Sequence, residues 1–452
     1  MLDPVLLARI QFGFTVGFHF LFPPLTFGLT LAILILETLY LRTGQTLYRE
    51  ASAFWIRLLG LTFVVGVASG IAMEFAFGTN WSEYSRFVGD IFGAPLAAEG
   101  IFAFFLESSF LGILLFGRER VPKKAYWLAA FLVFFASHLS GLWILIANSW
   151  QQTPAGYTLV EGRARLTDFW AAVLNPSIGP RFFHTVAAGW ITGAFFVAGI
   201  SAWYLRQGRH LAFARLSLGL ALTIGAVTSL AQVGLGHLHS VQVALTQPAK
   251  MAAFEGLFTT QRGAPLALFG IPDVARQTVH LYVGIPRLLS FLVHFDPNAE
   301  MVGLDAFPRA DWPPVAVPFY AYHLMVLLGG YFILAMLLGV YLWRTGRLEG
   351  TRWFAKALLF SIPLPQVANQ AGWVAAEVGR QPWAVYNLLR TADAVSVTVP
   401  AEQVLFTLIM FVLIYALLFA AYLSFLVREV RHGPAGSGAV SGEAVSLQGQ
   451  GG

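Results

Sequence analysis

Nine stretches of the chain, 8–41, 52–78, 92–117, 125–148, 181–205, 214–236, 315–343, 352–376 and 404–427, run as nearly unbroken apolar sequence. A helix needs about 20 such residues to cross the hydrocarbon core of a bilayer. The runs are continuous rather than alternating, which points to helices and away from the strands of a barrel. The expected fold is therefore all-α, a polytopic membrane protein with about nine transmembrane helices. Only 11% of the 452 residues are charged and 57% are hydrophobic, against roughly 25% charged in a soluble domain, so little chain is left for a separate soluble unit. Residues 1–430 read as one membrane-embedded domain, and 431–452, rich in Gly and Ser, as a flexible tail.

The formal net charge is +5. In a soluble chain this would raise nucleic-acid binding, but here the Lys and Arg sit in short connections. Arg42 and Arg49 follow the first span, Arg118, Arg120, Lys123 and Lys124 the third, and Arg206, Arg209 and Arg215 the fifth. Arg344, Arg347, Arg352 and Lys356 follow the seventh, and Arg428 and Arg431 the ninth. These alternate connections lie on one side, which the distribution of basic residues makes cytoplasmic. The N-terminus and the segment 237–314 then face outward, and loops of that length are usually functional or disordered. The start, MLDPVLLAR, carries Asp3 and no basic leader, so no cleavable signal is expected. The chain has no cysteine, which excludes disulfides, iron–sulfur clusters, thiolate haem ligation and covalent haem attachment. Any metal must be held by His, Met, Glu or Asp. No internal repeat is visible, which argues against a transporter built on inverted halves.

Ionisable groups at membrane depth cost about 2.5–3.5 kcal/mol on insertion scales, so each is a candidate for function. His19 lies in FGFTVGFHFLFPP, roughly 17 Å into the first span at about 1.5 Å per residue, and Pro23 and Pro24 should kink that helix. An imidazole in an aromatic pocket suits haem iron; the alternative is a histidine hydrogen-bonded to a neighbouring helix. His184 and Met325 fall at similar depth from the outer side, which permits a His/Met pair on one low-spin haem. Met325 alone would be ordinary core filler, and His323 on another face competes with it. Glu99 and Glu107, eight residues apart, project about 80° apart on a 3.6-residue helix. They could relay protons, ligate a metal, or be buried against Lys or Arg. Glu377 could ligate iron or take up protons, Arg380 could pair with it or with a haem propionate, and Trp383 would pack beside them. Lys250 and Glu255 in QPAKMAAFEG could hold and deprotonate a hydroquinone, or could be a solvated surface pair. His138 reads as a hydrogen-bonded core histidine or a further ligand.

Five segments together resemble subunit I of the cytochrome bd quinol oxidase family: GFHFLFPPL, FGTNWSEYSRFVGDIFGAPLAAEGIFAFFLES, GLWILIANSWQQTPAG around Asn148, QPAKMAAFEG and GWVAAEVGRQPW. The resemblance runs from the first span to the last helix and leaves only the tail uncovered. It implies that His184 and Met325 are the axial ligands of a low-spin b haem. It implies that His19 and Glu377 each serve one haem of an oxygen-reducing pair, with Glu99 a further carboxylate beside that pair. Glu107, with Ser108 and Ser140, would fall on the proton route. Lys250 and Glu255 would bind quinol, and Arg380 and Trp383 would lie beside the haems. The cofactors implied are two b-type haems and one haem d, or a third b-type haem in place of d. The outer loop lacks the long insertion of one branch, so the chain is similar to the short-loop branch, in which some cyanide-insensitive oxidases carry b-type haem. Quinone type, ubiquinol or menaquinol, is left open.

The resemblance implies a terminal quinol:oxygen oxidoreductase of the bacterial cytoplasmic membrane. It would work with a second membrane subunit and possibly a very small one. Quinol would be oxidised on the outer side and oxygen reduced to water with protons from the cytoplasm. Two other readings are a proton-coupled transporter using Glu99, Glu107 and Glu377, and a two-haem cytochrome b that never meets oxygen.

Overall fold

The computed structural model describes residues 3–434. The apolar runs fold as helices because a backbone in hydrocarbon must satisfy its own polar groups. Among the described residues seven helical spans, the first of them α1 and α2 taken together, are long and apolar enough to cross a membrane, and two further crossings are made of shorter pieces. In chain order the helices are α1 (Pro4–His19), α2 (Pro23–Thr43), α3 (Thr46–Thr79), α4 (Ser82–Ala98), α5 (Phe105–Phe116), α6 (Lys123–Gln152), α7 (Phe169–Val173) and α8 (Ile178–Gln207). They continue with α9 (Leu211–Thr246), α10 (Pro248–Glu255), α11 (Leu288–His294), α12 (Ala316–Arg344), α13 (Arg352–Phe360), α14 (Leu364–Val378) and α15 (Ala401–His432).

Three spans read from the sequence as single rods are broken. The first is interrupted at 20–22, and Pro23 and Pro24 sit in the first turn of α2, where a missing N–H costs nothing. The interruption is the expected kink: backbone hydrogen bonds still run through it, Phe22 N–H to His19 O at 3.1 Å and Thr26 N–H to Phe22 O at 2.9 Å. The third begins earlier than 92, at Ser82, and joins α4 to α5 through a π-helical stretch, Glu99–Phe104. The eighth is α13 and α14, divided at 361–363, with Pro363 and Pro365 at the break. The sixth runs ten residues beyond Gly236, so 237–246 is helix rather than the start of the outer segment. The rest of that segment holds α10, α11 and an antiparallel hairpin, Leu266–Asp273 with Thr278–Ile285. The last helix passes 430 to end at His432, and the tail from 435 onward lies outside the described residues.

The basic connections gather at one end of the bundle, where they are tied across by ion pairs: Arg49 with Glu119, Arg57 with Glu429, and Arg215 with Glu349 at 2.6 Å. Beneath them Arg118 reaches into the bundle to Glu37 at 2.5 Å and lies over the Tyr126 ring at 3.8 Å. Glu37 is 2% exposed. The largest core cluster, including Phe54, Trp55, Phe195, Tyr204 and Phe213, fills this half. Most stretches feeding it are the parts of helices adjoining a basic connection. α2 and α8 touch backbone to backbone: a Cβ on Gly28 would lie 2.4 Å from the Gly193 Cα.

Gly28→Ala should therefore force α2 from α8 and cost about 1–3 kcal/mol as an overpacked core does. Gly13→Ala on α1, where a Cβ meets nothing within 4 Å, should leave the midpoint unchanged or slightly raised. Thermal unfolding of the two variants in one detergent checks the contrast.

Candidate functional site

The half of the bundle away from the basic connections is hollow. A cavity of about 1280 Å³ runs between α1, α6, α8, α9, α10, α12 and α14, larger than the roughly 300–1,000 Å³ of a single small-ligand pocket. Its walls include His19, His184, Met325, Lys250, Glu255, Glu377 and Arg380. Glu99, Glu107 and Trp383, singled out with them in the sequence, are not among the lining residues.

His19 ends α1 at the break before the two prolines, and its Nδ1 lies 3.1 Å from Ser69 Oγ. A Cβ on Gly70 would stand 3.0 Å from the imidazole Cε1, so only glycine leaves the ring its place. His184, one turn and a half into α8, has Nδ1 buried without a partner, and its Nε2 meets only the Gln232 amide at 3.4 Å. Met325 packs on Gly372, where a Cβ would sit 2.7 Å from its sulfur. Its rival His323 has both ring nitrogens on carbonyl oxygens, Phe319 at 2.8 Å and Ala267 at 3.0 Å. His138 is likewise occupied, with Nδ1 2.7 Å from Phe134 O and Nε2 accepting from Trp190 Nε1 at 3.0 Å. That is the core-histidine reading.

Glu377 is the centre of a buried polar cluster. Its Oε1 accepts from Asn148 Nδ2 at 3.0 Å and Gln152 Nε2 at 3.1 Å, and its Oε2 pairs with Arg380 at 2.6 Å. Arg380 also reaches Gln151 and the Trp383 carbonyl, each at 3.1 Å. Trp383 packs by its ring under Arg390, 4.6 Å to the guanidinium carbon, and its backbone is hydrogen-bonded to Arg380. Arg181, fully folded into the bundle, donates to Asn148 Oδ1 at 3.1 Å. Asn148 stood in a quoted motif, but Arg181, Gln151 and Gln152 were not singled out; the one available signal was an Arg beside His184 inside an apolar run.

Lys250 and Glu255 are 2% and 3% exposed, which overturns the solvated-pair alternative. They do not meet each other. Lys250 Nζ donates to Gln152 Oε1 at 2.5 Å and Gln247 Oε1 at 2.6 Å. Burial, with Arg181 and Arg380 nearby, holds its ammonium well below the usual lysine range. Glu255 Oε2 accepts the Ala267 N–H at 2.8 Å, its Oε1 is buried without a partner, and burial pushes its carboxyl up to about 8.

Glu99 and Glu107 stand apart from the cavity. Ser140 Oγ donates to Glu99 at 2.6 Å, and Glu107 is buried. Among the described residues neither forms an ion pair with Lys or Arg. The 80° separation does not hold, because Glu99–Phe104 is π-helical and turns less per residue than an α-helix.

The donor set fits haem. Imidazole and thioether groups face a large apolar cavity, one of them with a buried nitrogen lacking any partner, and glycines stand where a side chain would crowd the ligands.

Residues 7–434 match the family model described as Cytochrome bd terminal oxidase subunit I. Subunit 1 of the cytochrome bd ubiquinol oxidase of Bacillus subtilis (strain 168) is 40% identical over 444 residues, covering 96% of this chain and 94% of that one. Subunit 1 of the cytochrome bd-II ubiquinol oxidase of Escherichia coli (strain K12) is 36% identical over 502 residues, covering 96% and 98%. The bd oxidase structure from Geobacillus thermodenitrificans superposes with a TM-score of 0.89 at 32% identity, covering 96% and 99%. A cavity with this donor set inside a bundle matched along almost its whole length leaves one assignment: the chain is a subunit I of the cytochrome bd terminal oxidases, a haem-dependent respiratory oxidoreductase of the membrane.

Proposed function

We propose that this chain oxidises quinol at Lys250 and Glu255 and houses the haems through which oxygen is reduced to water. The observation that carries the reading is the single cavity into which both the quinol residues and the candidate ligands open. His184 and Met325 would hold a low-spin b haem. His19 and Glu377 would each hold one of an oxygen-reducing pair, two b-type haems and one haem d in all, or a third b-type haem in place of d. Haem iron supplies the one-electron transfers and the oxygen reduction when bound.

The chain's own residues supply the rest. A hydroquinone gives up two protons with its two electrons, so its site must offer two acceptors. A neutral Lys250 amine spends its two N–H groups on the Gln152 and Gln247 carbonyls and keeps a lone pair for one proton. The unpartnered Oε1 of Glu255 can take the other once the carboxyl has ionised. Asn148 and Gln152 hold Glu377 by its Oε1 and Arg380 holds it by its Oε2, which fixes the carboxylate's direction.

Glu107 and Glu99, with Ser140 hydrogen-bonded to the latter, lie on the side from which protons would enter. The gathering of the basic connections at one end supports a route from the cytoplasmic face and a quinol site facing outward, in the cytoplasmic membrane of a bacterium. The complex would include a second membrane subunit, and a very small third one is compatible with the bare apolar face of α15.

A reduced-minus-oxidised visible spectrum of membranes holding the complex, repeated with carbon monoxide, tests the haem assignments. Bands of b type with a CO-sensitive fraction are expected; a chlorin band alongside them would place haem d at the oxygen site. His184→Ala should remove the low-spin b signal and leave the CO response. An assembled preparation without haem sinks the reading.

The raised Glu255 carboxyl sets a second expectation. Its base form grows as pH rises through about 8, so kcat/KM for quinol should climb across that range. Glu255→Gln should flatten the climb and lower kcat/KM by about a hundredfold, the lower end of what a lost proton acceptor costs. An unchanged profile in the variant would remove Glu255 from the chemistry.

A further inference from the structure

The hairpin of Leu266–Asp273 and Thr278–Ile285 carries side chains that the reading above leaves unused. Phe269 and Ile271 on its first strand and Leu281, Tyr282 and Val283 on its second are between 39% and 72% exposed. Its sixteen strand positions, LALFGIPD and TVHLYVGI, hold one charged residue, Asp273, at the last position of the first strand. Charge is thus confined to the turn, where Asp273 accepts from the N–H groups of Ala275 and Arg276, each at 3.0 Å. Left in water, such a surface costs about 25 cal/mol for each Å² of apolar area, and soluble surfaces rarely present a contiguous patch beyond a few hundred Å².

The depth of the hairpin is fixed separately. Its root is pinned on both sides of Ala267, whose N–H donates to Glu255 and whose carbonyl lies 3.0 Å from His323 Nε2. His323 is seven residues into α12, about 10 Å along its axis. Further along the strand, a Cβ on Gly270 would lie 3.6 Å from Cζ of Phe319, three residues into the same helix. The hairpin therefore runs beside the first turns of a membrane-crossing helix and not beyond its end. Those turns of α12 expose Val317, Tyr320 and Leu324 at 47%, 47% and 41%, so the apolar surface of the hairpin continues the lipid-facing surface of the bundle. Two strands alone leave both outer edges with unpaired backbone groups, which hydrocarbon does not tolerate. The headgroup boundary satisfies both demands, since it takes apolar side chains on one side and hydrates backbone on the other.

We propose that the hairpin 266–285 is an interfacial membrane anchor, seated in the headgroup layer of the leaflet at the cavity end of the bundle, with the lipid bilayer as its partner. The inference does not depend on the quinol assignment. Attachment is by apolar burial, because the strands offer no Lys or Arg to anionic lipid.

The chain has no cysteine, so Leu281→Cys, Val283→Cys and, at the turn, Arg276→Cys can each carry a single nitroxide, with the parent complex as blank for labelling elsewhere. The whole complex is placed in phosphatidylcholine nanodiscs, and its unchanged haem spectrum certifies each variant as assembled. Spin relaxation by oxygen, which concentrates in lipid, is compared with relaxation by a water-soluble nickel chelate. Positions 281 and 283 should favour oxygen and 276 the chelate, and raising salt should change neither. If 281 and 283 are as open to the chelate as 276, the hairpin stands in water and the proposal falls. If both relaxants are excluded there, a protein partner covers the hairpin and the proposal falls equally.

Discussion

A bundle with a 1280 Å³ hole along half its length stands only because the other half is closed. The closure rests on the contact of α2 with α8, where Gly28 and Gly193 bring two backbones together. In a bilayer no hydrophobic gain drives helix association, so close packing of small residues and satisfied polar groups must do it. The core around Trp55 and Tyr204, together with the Glu37, Ser52 and Arg118 cluster beneath the basic connections, completes that clamp. Removing one partner of such a buried pair leaves an uncompensated charge, typically 3–5 kcal/mol. The open half can therefore afford glycines beside His19 and Met325, because it is not asked to hold the helices together.

The division also separates the chemistry. The polar groups of the hollow half are held by amides and arginines from α6, α8, α10 and α14, each bound to the next: Gln247 to Lys250, Lys250 to Gln152, Gln152 to Glu377, Glu377 to Arg380. Glu99 and Glu107 lie outside this chain of contacts and outside the cavity. That separation sets them apart from the Glu377 cluster, whose members all share one network.

Much of the fold was legible because the length of an apolar run measures a bilayer directly. Less legible was where rods break or overrun. Pro23 and Pro24 announced one break, and the division at 361–363 carried the same residue type. The overrun of α9 was hidden because His237, His239 and Gln242 lower the apolar character of a stretch that faces the cavity rather than lipid. Among the candidate site residues, His19, His184 and the Glu377–Arg380 pair were visible because polar groups stand out against apolar neighbours, whereas Met325 was visible only through its depth relative to His184 and the resemblance. The burial of Lys250 and Glu255 could not, as QPAKMAAFEG has no local feature that distinguishes a covered helix from a wet one. Trp383, placed beside Arg380 by its neighbourhood and by the resemblance, carries its ring over against Arg390 while its carbonyl accepts from Arg380.

The π-helical stretch Glu99–Phe104 has a consequence for how this span can change. A wide turn arises when one residue is added to a helix without disturbing what lies on either side. Losing one residue from it would restore the ordinary period and leave both Glu99 and Glu107 on their present faces. Adding one more residue in regular helix would instead swing everything from Phe105 onward by about 100° and slide it by about 1.5 Å, carrying the buried Glu107 to another face. In this part of the molecule a carboxylate's direction is therefore protected against the loss of one residue, which the wide turn can give up, and open to change by the gain of one.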